Sequence, residues 1–209
     1  IEPNMSTNPY VLILYYSRTR GTQNLALHIG RGVDKVAGIE PRIRTVPPVS
    51  SVIERTAPSV PDEGAVFCTK EDLAGCSGLA LGSATRFGNM AAPMKYFLDS
   101  TADLWAGQQL VGKPASVFCS SSSLHGGQES TLLTMMVPLL HHGMVIQGLP
   151  YSYPELNTTQ SGGTPYGVTH VQGNDHNNGA TLSKEEAALA EAAGQQLAEL
   201  ALKITGVSN

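Results

Sequence analysis

Apolar positions first cluster at Val11-Leu12-Ile13-Leu14-Tyr15-Tyr16, an unbroken run that stops at Ser17-Arg18-Thr19-Arg20-Gly21-Thr22. A run of this length, rich in β-branched and aromatic types, predicts a strand buried on both faces. An amphipathic segment begins at Gln23, with Leu25, Ile29, Val33 and Val36 near helical spacing and Gly38 as a stop. Ile39–Val46 sets Ile39, Pro41, Ile43 and Thr45 against Glu40, Arg42 and Arg44, the pattern of a half-exposed edge strand. Pro47, Pro48, Pro58 and Pro61 then punctuate the chain up to Phe67, which predicts an ordered surface excursion.

Lys70–Leu73 suits one helical turn, and Gly78–Ser83 a short central strand that empties into Ala84–Asn89. A helix is expected over 92–101, with Met94, Phe97 and Leu98 on its apolar face and Pro93 in its first turn. Ala115–Cys119 reads as a strand, Ser120–Gly127 as a loop and Gln128–His142 as a helix that Pro138 should kink or interrupt. Met144–Ile146 is a short strand. From Leu149 to Thr181 there is no periodicity, the mark of a functional or disordered long loop. Ser183-Lys184-Glu185-Glu186 is a capping box that opens an Ala-rich helix running to Ile204.

Strands alternating with helices predict an α/β domain: a doubly wound, five-stranded parallel sheet covered by helices on both faces. Ligands of such sheets sit beyond the carboxyl ends of the strands, where Ser17–Thr22, Ala84–Asn89 and Ser120–Gly127 would converge. Hydroxyls and a glycine at a helix start suit a phosphate. The first loop matches neither GxxxxGK[ST] nor GxGxxG, which disfavours a nucleoside triphosphate and a dinucleotide and leaves a terminal phosphate monoester. Taken alone, this loop is better explained as an ordinary strand-to-helix turn, for which Ser, Thr and Gly are common.

Composition narrows the picture further. A formal net charge of -4 offers no basic footprint for nucleic acid. The three cysteines are odd in number and lack CxxC spacing, which favours buried free thiols in a reducing cytoplasm. No apolar run is long enough for a membrane span. Residues 9–206 are expected to form one domain behind an N-terminal extension, 1–8, with Met5 as a candidate start.

Five segments occur together in order: Tyr15-Tyr16-Ser17, Thr85-Arg86-Phe87-Gly88-Asn89-Met90, Gly126-Gly127-Gln128-Glu129, His141-His142-Gly143-Met144-Val145 and Gly162-Gly163-Thr164-Pro165-Tyr166-Gly167. This set resembles the WrbA family (tryptophan-repressor-binding protein), FMN-dependent NAD(P)H:quinone oxidoreductases of the flavodoxin-like fold, whose strand order is 2-1-3-4-5. The resemblance implies FMN as cofactor, NADH or NADPH as electron donor and a quinone as acceptor. It also implies ping-pong hydride transfer and a homotetramer. By the same resemblance Ser17, Arg18, Thr19, Arg20, Gly21 and Thr22 would hold the FMN phosphate. Thr85, Arg86, Phe87, Gly88 and Asn89 would line the isoalloxazine ring, and Ser121, Ser122, Ser123, Leu124, His125 and Gly126 would wrap its pyrimidine end. His141 would approach the cofactor as proton donor or orienter, Trp105 would wall the substrate position, and Tyr166 would add a ring and a hydroxyl. Some walls would come from a neighbouring subunit. At Thr19 and Arg20 the chain departs from the aromatic residue and glycine common in relatives.

Each of these residues also has a plainer reading. Arg86 suits a surface salt bridge, Trp105 a core anchor, and Tyr166 a contact between subunits. His141 and His142 are adjacent, so at most one faces a given site, and no metal is expected without i,i+4 spacing or carboxylates. For His142 a helix C-terminal interaction is expected. His170 and His176 are expected to face solvent, and Cys119 to serve packing. Rival functions on the same fold are a one-electron carrier and a regulatory or interaction protein.

Overall fold

The computed structural model describes residues 8–50, 64–173 and 181–206. Residues 1–7, Pro58, Pro61 and His176 lie outside them, as does most of the proline-rich excursion. The elements are β1 (Tyr10–Tyr16), α1 (Gly21–Val33), β2 (Glu40–Thr45), α2 (Lys70–Ala74), β3 (Gly78–Arg86), β4 (Asn89–Met90) and α3 (Ala92–Asp99). They continue as α4 (Ala102–Ala106), β5 (Pro114–Ser121), α5 (Gln128–His141), β6 (Val145–Ile146), α6 (Glu155–Thr158), β7 (Val168–Val171) and α7 (Lys184–Thr205).

The sheet runs β2-β1-β3-β5-β6, all parallel, which is the expected five-strand order. Two further strands correct that count. β4 turns back antiparallel on the end of β3, and β7 joins β5 in parallel. β6 pairs with Pro114 and Ala115, while β7 pairs with Phe118–Ser121. The edge lane is therefore split, and the chain leaves it after Ile146 and returns at Val168. The stretch after Leu149 thus holds a short helix and a strand. β7 has only four residues, too few for a legible period, and is fixed by its ladder to β5.

Strand alternation explains the two cores. In β1, Tyr10, Leu12 and Leu14 face one side with Leu79 and Leu81 of β3 and Leu132, Met135 and Leu139 of α5. Val11, Ile13 and Tyr15 face the other side with Leu25 and Ile29 of α1 and Leu189 and Leu197 of α7. β2 is half-buried at every position, as an edge strand should be. Pro138 does not interrupt α5, which runs on to His141. It removes one donor near the helix end, and His142 N–H still reaches the Pro138 carbonyl at 3.0 Å.

Candidate functional site

The carboxyl ends of β1, β3, β5 and β7 come level with one another. Tyr16 pairs with Ser83, Ser83 with Cys119 and Cys119 with Thr169; Ser120 then pairs with His170. Beyond this row the chain enters the first loop, where Arg20 is left-handed (φ 68°) and Gly21 begins α1. The side chain of Arg20, at the cap position, makes no capping hydrogen bond, and the first turn holds no acidic residue. The leading N–H groups of α1 and its positive dipole end could hold an anion. A Cβ on Gly21 would lie 2.9 Å from His170 Cδ2 and 3.3 Å from Ser120, so glycine is needed for the helix start to rest on β5 and β7. Thr22 Oγ1 and Ser120 Oγ share a buried 2.7 Å hydrogen bond. Thr19 donates its hydroxyl to Gln172 Oε1 and receives Gln172 Nε2 at its carbonyl, 3.1 Å, tying the turn to the end of β7. Ser17 is half-buried, and Arg18, Thr19 and Arg20 are exposed.

The second loop is a two-residue hairpin. Arg86 pairs with Asn89, and Phe87 and Gly88 both have positive φ, 51° and 74°. That geometry is a type I′ turn, which favours Asn or Gly and strains a phenylalanine by about 1–3 kcal/mol. Phe87 nevertheless stands there fully exposed. Arg86 donates to the Thr85 carbonyl at 2.8 Å, and its guanidinium takes no ion pair among the described residues, which leaves it available at the loop.

The third loop packs onto the second. Gly127 has φ 90°, and a Cβ there would lie 2.9 Å from Gly88 Cα, so the two backbones touch. Ser121 ends β5, buried, and donates to the Ser123 carbonyl at 2.7 Å. Gln128 reaches back with Nε2 to Ser121 Oγ (2.9 Å) and the His170 carbonyl (3.3 Å). Ser122, Ser123, Leu124, His125 and Gly126 form an exposed rim. Burial pushes the Cys119 thiol up to about 12, which suits a packing residue.

Three of the expected site residues lie elsewhere. His141 closes α5, and 14 helical residues, about 21 Å, separate it from the third loop. Its ring stacks on Trp105 at 5.5 Å, and both are exposed. Within one chain this pair sits near the start of β5, away from the turn. Tyr166 lies two residues ahead of β7, on the outer edge of the sheet. His142 is buried; its Nε2 meets Thr101 Oγ1 at 3.0 Å, tying α5 to the start of α4, and burial lowers its pKa.

His170 corrects the expectation of solvent exposure. It is 1% exposed, and its Nδ1 lies 2.8 Å from Glu186 Oε2. The same carboxylate accepts N–H bonds from Gly162 (2.7 Å), Val171 (3.1 Å) and Ser183 (2.9 Å). Burial pushes the Glu186 carboxyl up, but the His170 hydrogen bond and the backbone donors outweigh it and hold the group below its usual range. The capping box marked Glu186 as a cap; nothing local indicates that it also holds a ring 16 residues earlier.

A family model described as "NADPH-dependent FMN reductase" matches residues 11–154. The chain belongs to this family. Two curated relatives are each 40% identical to it and named NAD(P)H dehydrogenase (quinone). One, from Syntrophobacter fumaroxidans, aligns over 93% of this chain and 98% of its own length. The other, from Chromohalobacter salexigens, aligns over 94% and 98%. Among solved structures, a flavodoxin, WrbA-like protein from Agrobacterium tumefaciens superposes with a TM-score of 0.62 at 16% identity, covering 93% of this chain and 98% of that one. An archaeal flavodoxin superposes with a TM-score of 0.60, also at 16% identity, covering 92% of this chain and 98% of that one. These neighbours show that the fold is flavodoxin-like. FMN is the cofactor of this family, and the donor set fits it: a helix start without a cap from Arg20 and hydroxyls for a phosphate, with two glycine-bearing loops side by side for a flat ring.

Proposed function

We propose that the chain is an NAD(P)H:quinone oxidoreductase working through FMN bound at the carboxyl edge of the sheet. The observation that carries this reading is the start of α1, without a cap from Arg20, placed beside two touching loops, one of which bears Arg86 and Phe87. Ser17–Thr22 hold the phosphate through backbone N–H groups and hydroxyls. Thr85–Asn89 line the ring, with the Phe87 side chain as an apolar face and Arg86 as a cation beside it. Ser121–Gly126 wrap the pyrimidine end. Bound FMN supplies the redox chemistry, taking two electrons from a nicotinamide and returning them to a quinone.

The assembly is a homotetramer in this reading, and the protein works in the cytoplasm. Leu133, Val137 and Leu140 recur along one exposed face of α5, and Val111 and Val145 are exposed nearby in the chain. Joining copies through this face supports a role for His141 and Trp105 in a neighbour's site, His141 as proton donor or orienter and Trp105 as substrate wall. Tyr166, exposed at the sheet edge, adds to the substrate side. The three free cysteines suit a reducing compartment.

Gel filtration after adding FMN should leave a flavin absorption band with the protein; its loss would sink the cofactor assignment. With NADH and benzoquinone, double-reciprocal plots should be parallel, because both substrates use one site in turn. Intersecting lines would exclude that order. A stable one-electron-reduced state on photoreduction, with negligible NADH turnover, would favour a carrier instead.

A further inference from the structure

Thr19 and Gln172 lie 153 residues apart in the chain and meet in a reciprocal pair. Gln172 Nε2 donates to the Thr19 carbonyl at 3.1 Å. A carbonyl only accepts, so the amide nitrogen lies on that side and Oε1 faces the Thr19 hydroxyl. Oε1 only accepts in its turn, so the hydroxyl proton of Thr19 goes to Gln172. Gln172 is itself held: its N–H donates to the Ser121 carbonyl at 2.8 Å, at the strand end from which the third loop leaves. Arg20, next to Thr19, is left-handed at φ 68°, a conformation that a non-glycine residue keeps only where its surroundings fix it. The Thr19 carbonyl and the Arg20 N–H belong to one planar trans peptide and point in opposite directions. Holding the carbonyl therefore sets the plane from which Arg20 turns the chain into α1.

We propose that Gln172 is a positioning residue for the cofactor phosphate: its amide clamps Thr19 by hydroxyl and carbonyl and holds the first loop in its phosphate-binding shape before the phosphate arrives. The proposal rests on the reading that Ser17–Thr22 hold that phosphate. Thr19 then serves the shape of the turn and not the anion, since its one hydroxyl proton is already donated to Gln172. A turn ordered in advance does not have to be ordered on binding, so the clamp strengthens the phosphate end of the ligand and leaves the ring end alone. Thr19 is exposed and Gln172 half-buried, so water competes for both groups and the effect is modest in size.

The test is a fluorescence titration of the apoprotein with FMN and, separately, with riboflavin, which has the ring but no phosphate. The unmodified protein should bind FMN well ahead of riboflavin. Gln172→Met keeps the length of the side chain without its amide; it should lower FMN affinity about tenfold, as loss of one or two hydrogen bonds would, and leave riboflavin affinity unchanged. Gln172→Ala should do the same and carries the test if the first variant does not fold. Thr19→Ser keeps the hydroxyl and should bind FMN like the unmodified protein. Thr19→Val should weaken FMN binding by itself but add nothing to a Gln172 variant, because the hydroxyl acts through the amide. An unchanged FMN-to-riboflavin ratio in the Gln172 variants would overturn the proposal. So would equal losses from Thr19→Val with and without Gln172, which would put the hydroxyl directly on the phosphate. Equal affinities for FMN and riboflavin in the unmodified protein would instead overturn the phosphate reading of the turn.

Discussion

Two helix starts in this molecule are finished in opposite ways. At α7 the end is closed from within: Glu186 N–H donates to Ser183 Oγ at 3.1 Å, and Ser183 N–H donates to Glu186 Oε2 at 2.9 Å. At α1 the cap position holds left-handed Arg20, whose side chain makes no capping hydrogen bond, and the first turn carries no acid. Both helices have the same dipole and the same orphan donors. Omitting a side-chain cap forgoes about 1 kcal/mol, and in the proposed function the helix start is instead left to the cofactor phosphate. The two ends are also joined, since the carboxylate that caps α7 holds the ring packed behind α1.

The largest break in this contrast should come from Glu186→Ala. It takes the carboxylate from His170 Nδ1 and from three backbone donors in the interior, and loss of one partner of a buried pair costs about 3–5 kcal/mol. Urea unfolding at pH 7 measures this. The folded pKa of Glu186 is depressed, so its contribution is complete above the unfolded value of about 4.3 and disappears as pH falls through the folded value. The penalty of the variant should therefore be full at neutral pH and shrink below about pH 4.

Gly21→Ala comes next. Its methyl group meets His170 and Ser120, and a ring fixed by Glu186 cannot give way, so overpacking should cost about 1–3 kcal/mol despite alanine's better helix propensity. FMN affinity should fall with it in the same titration. Ser183→Ala sharpens the comparison from the other side: about 1 kcal/mol lost in unfolding, with FMN affinity unchanged. The smallest effect has the opposite sign. Phe87→Asn relieves the left-handed strain of the hairpin and should stabilise the apoprotein by about 0.5–1 kcal/mol while weakening FMN binding. A variant both less stable and equally good at binding would show that Phe87 serves packing rather than the ring.

Sequence reading reached those features whose cause is local. β1 and α7 announce themselves by an apolar run and a capping box, and β2 by its alternation. The three loops were placed on one edge by the alternation of strands and helices alone. The site was less legible where contacts span long stretches of chain. Ala84–Asn89 was expected as an open loop, yet Thr85 and Arg86 complete β3 and pair with β4, because hairpin ladders are not visible in a pattern of small residues. His170 looked like a loop histidine, since its burial depends on β5 beside it and on Glu186 from the last helix.

By itself, the sequence determined the alternating architecture, the two-sided burial of β1, the closed start of α7 and the family to which the chain belongs. These follow from periodicity, capping chemistry and motif order, all of which act within a few residues or by resemblance. Only the tertiary structure decided that the edge lane is split between β6 and β7 and that His141 and Trp105 stack a helix length away from the turn. It alone placed a buried histidine behind Gly21. Those outcomes depend on hydrogen-bond ladders and close packing between residues far apart in the chain, and no local pattern encodes which partner will be there.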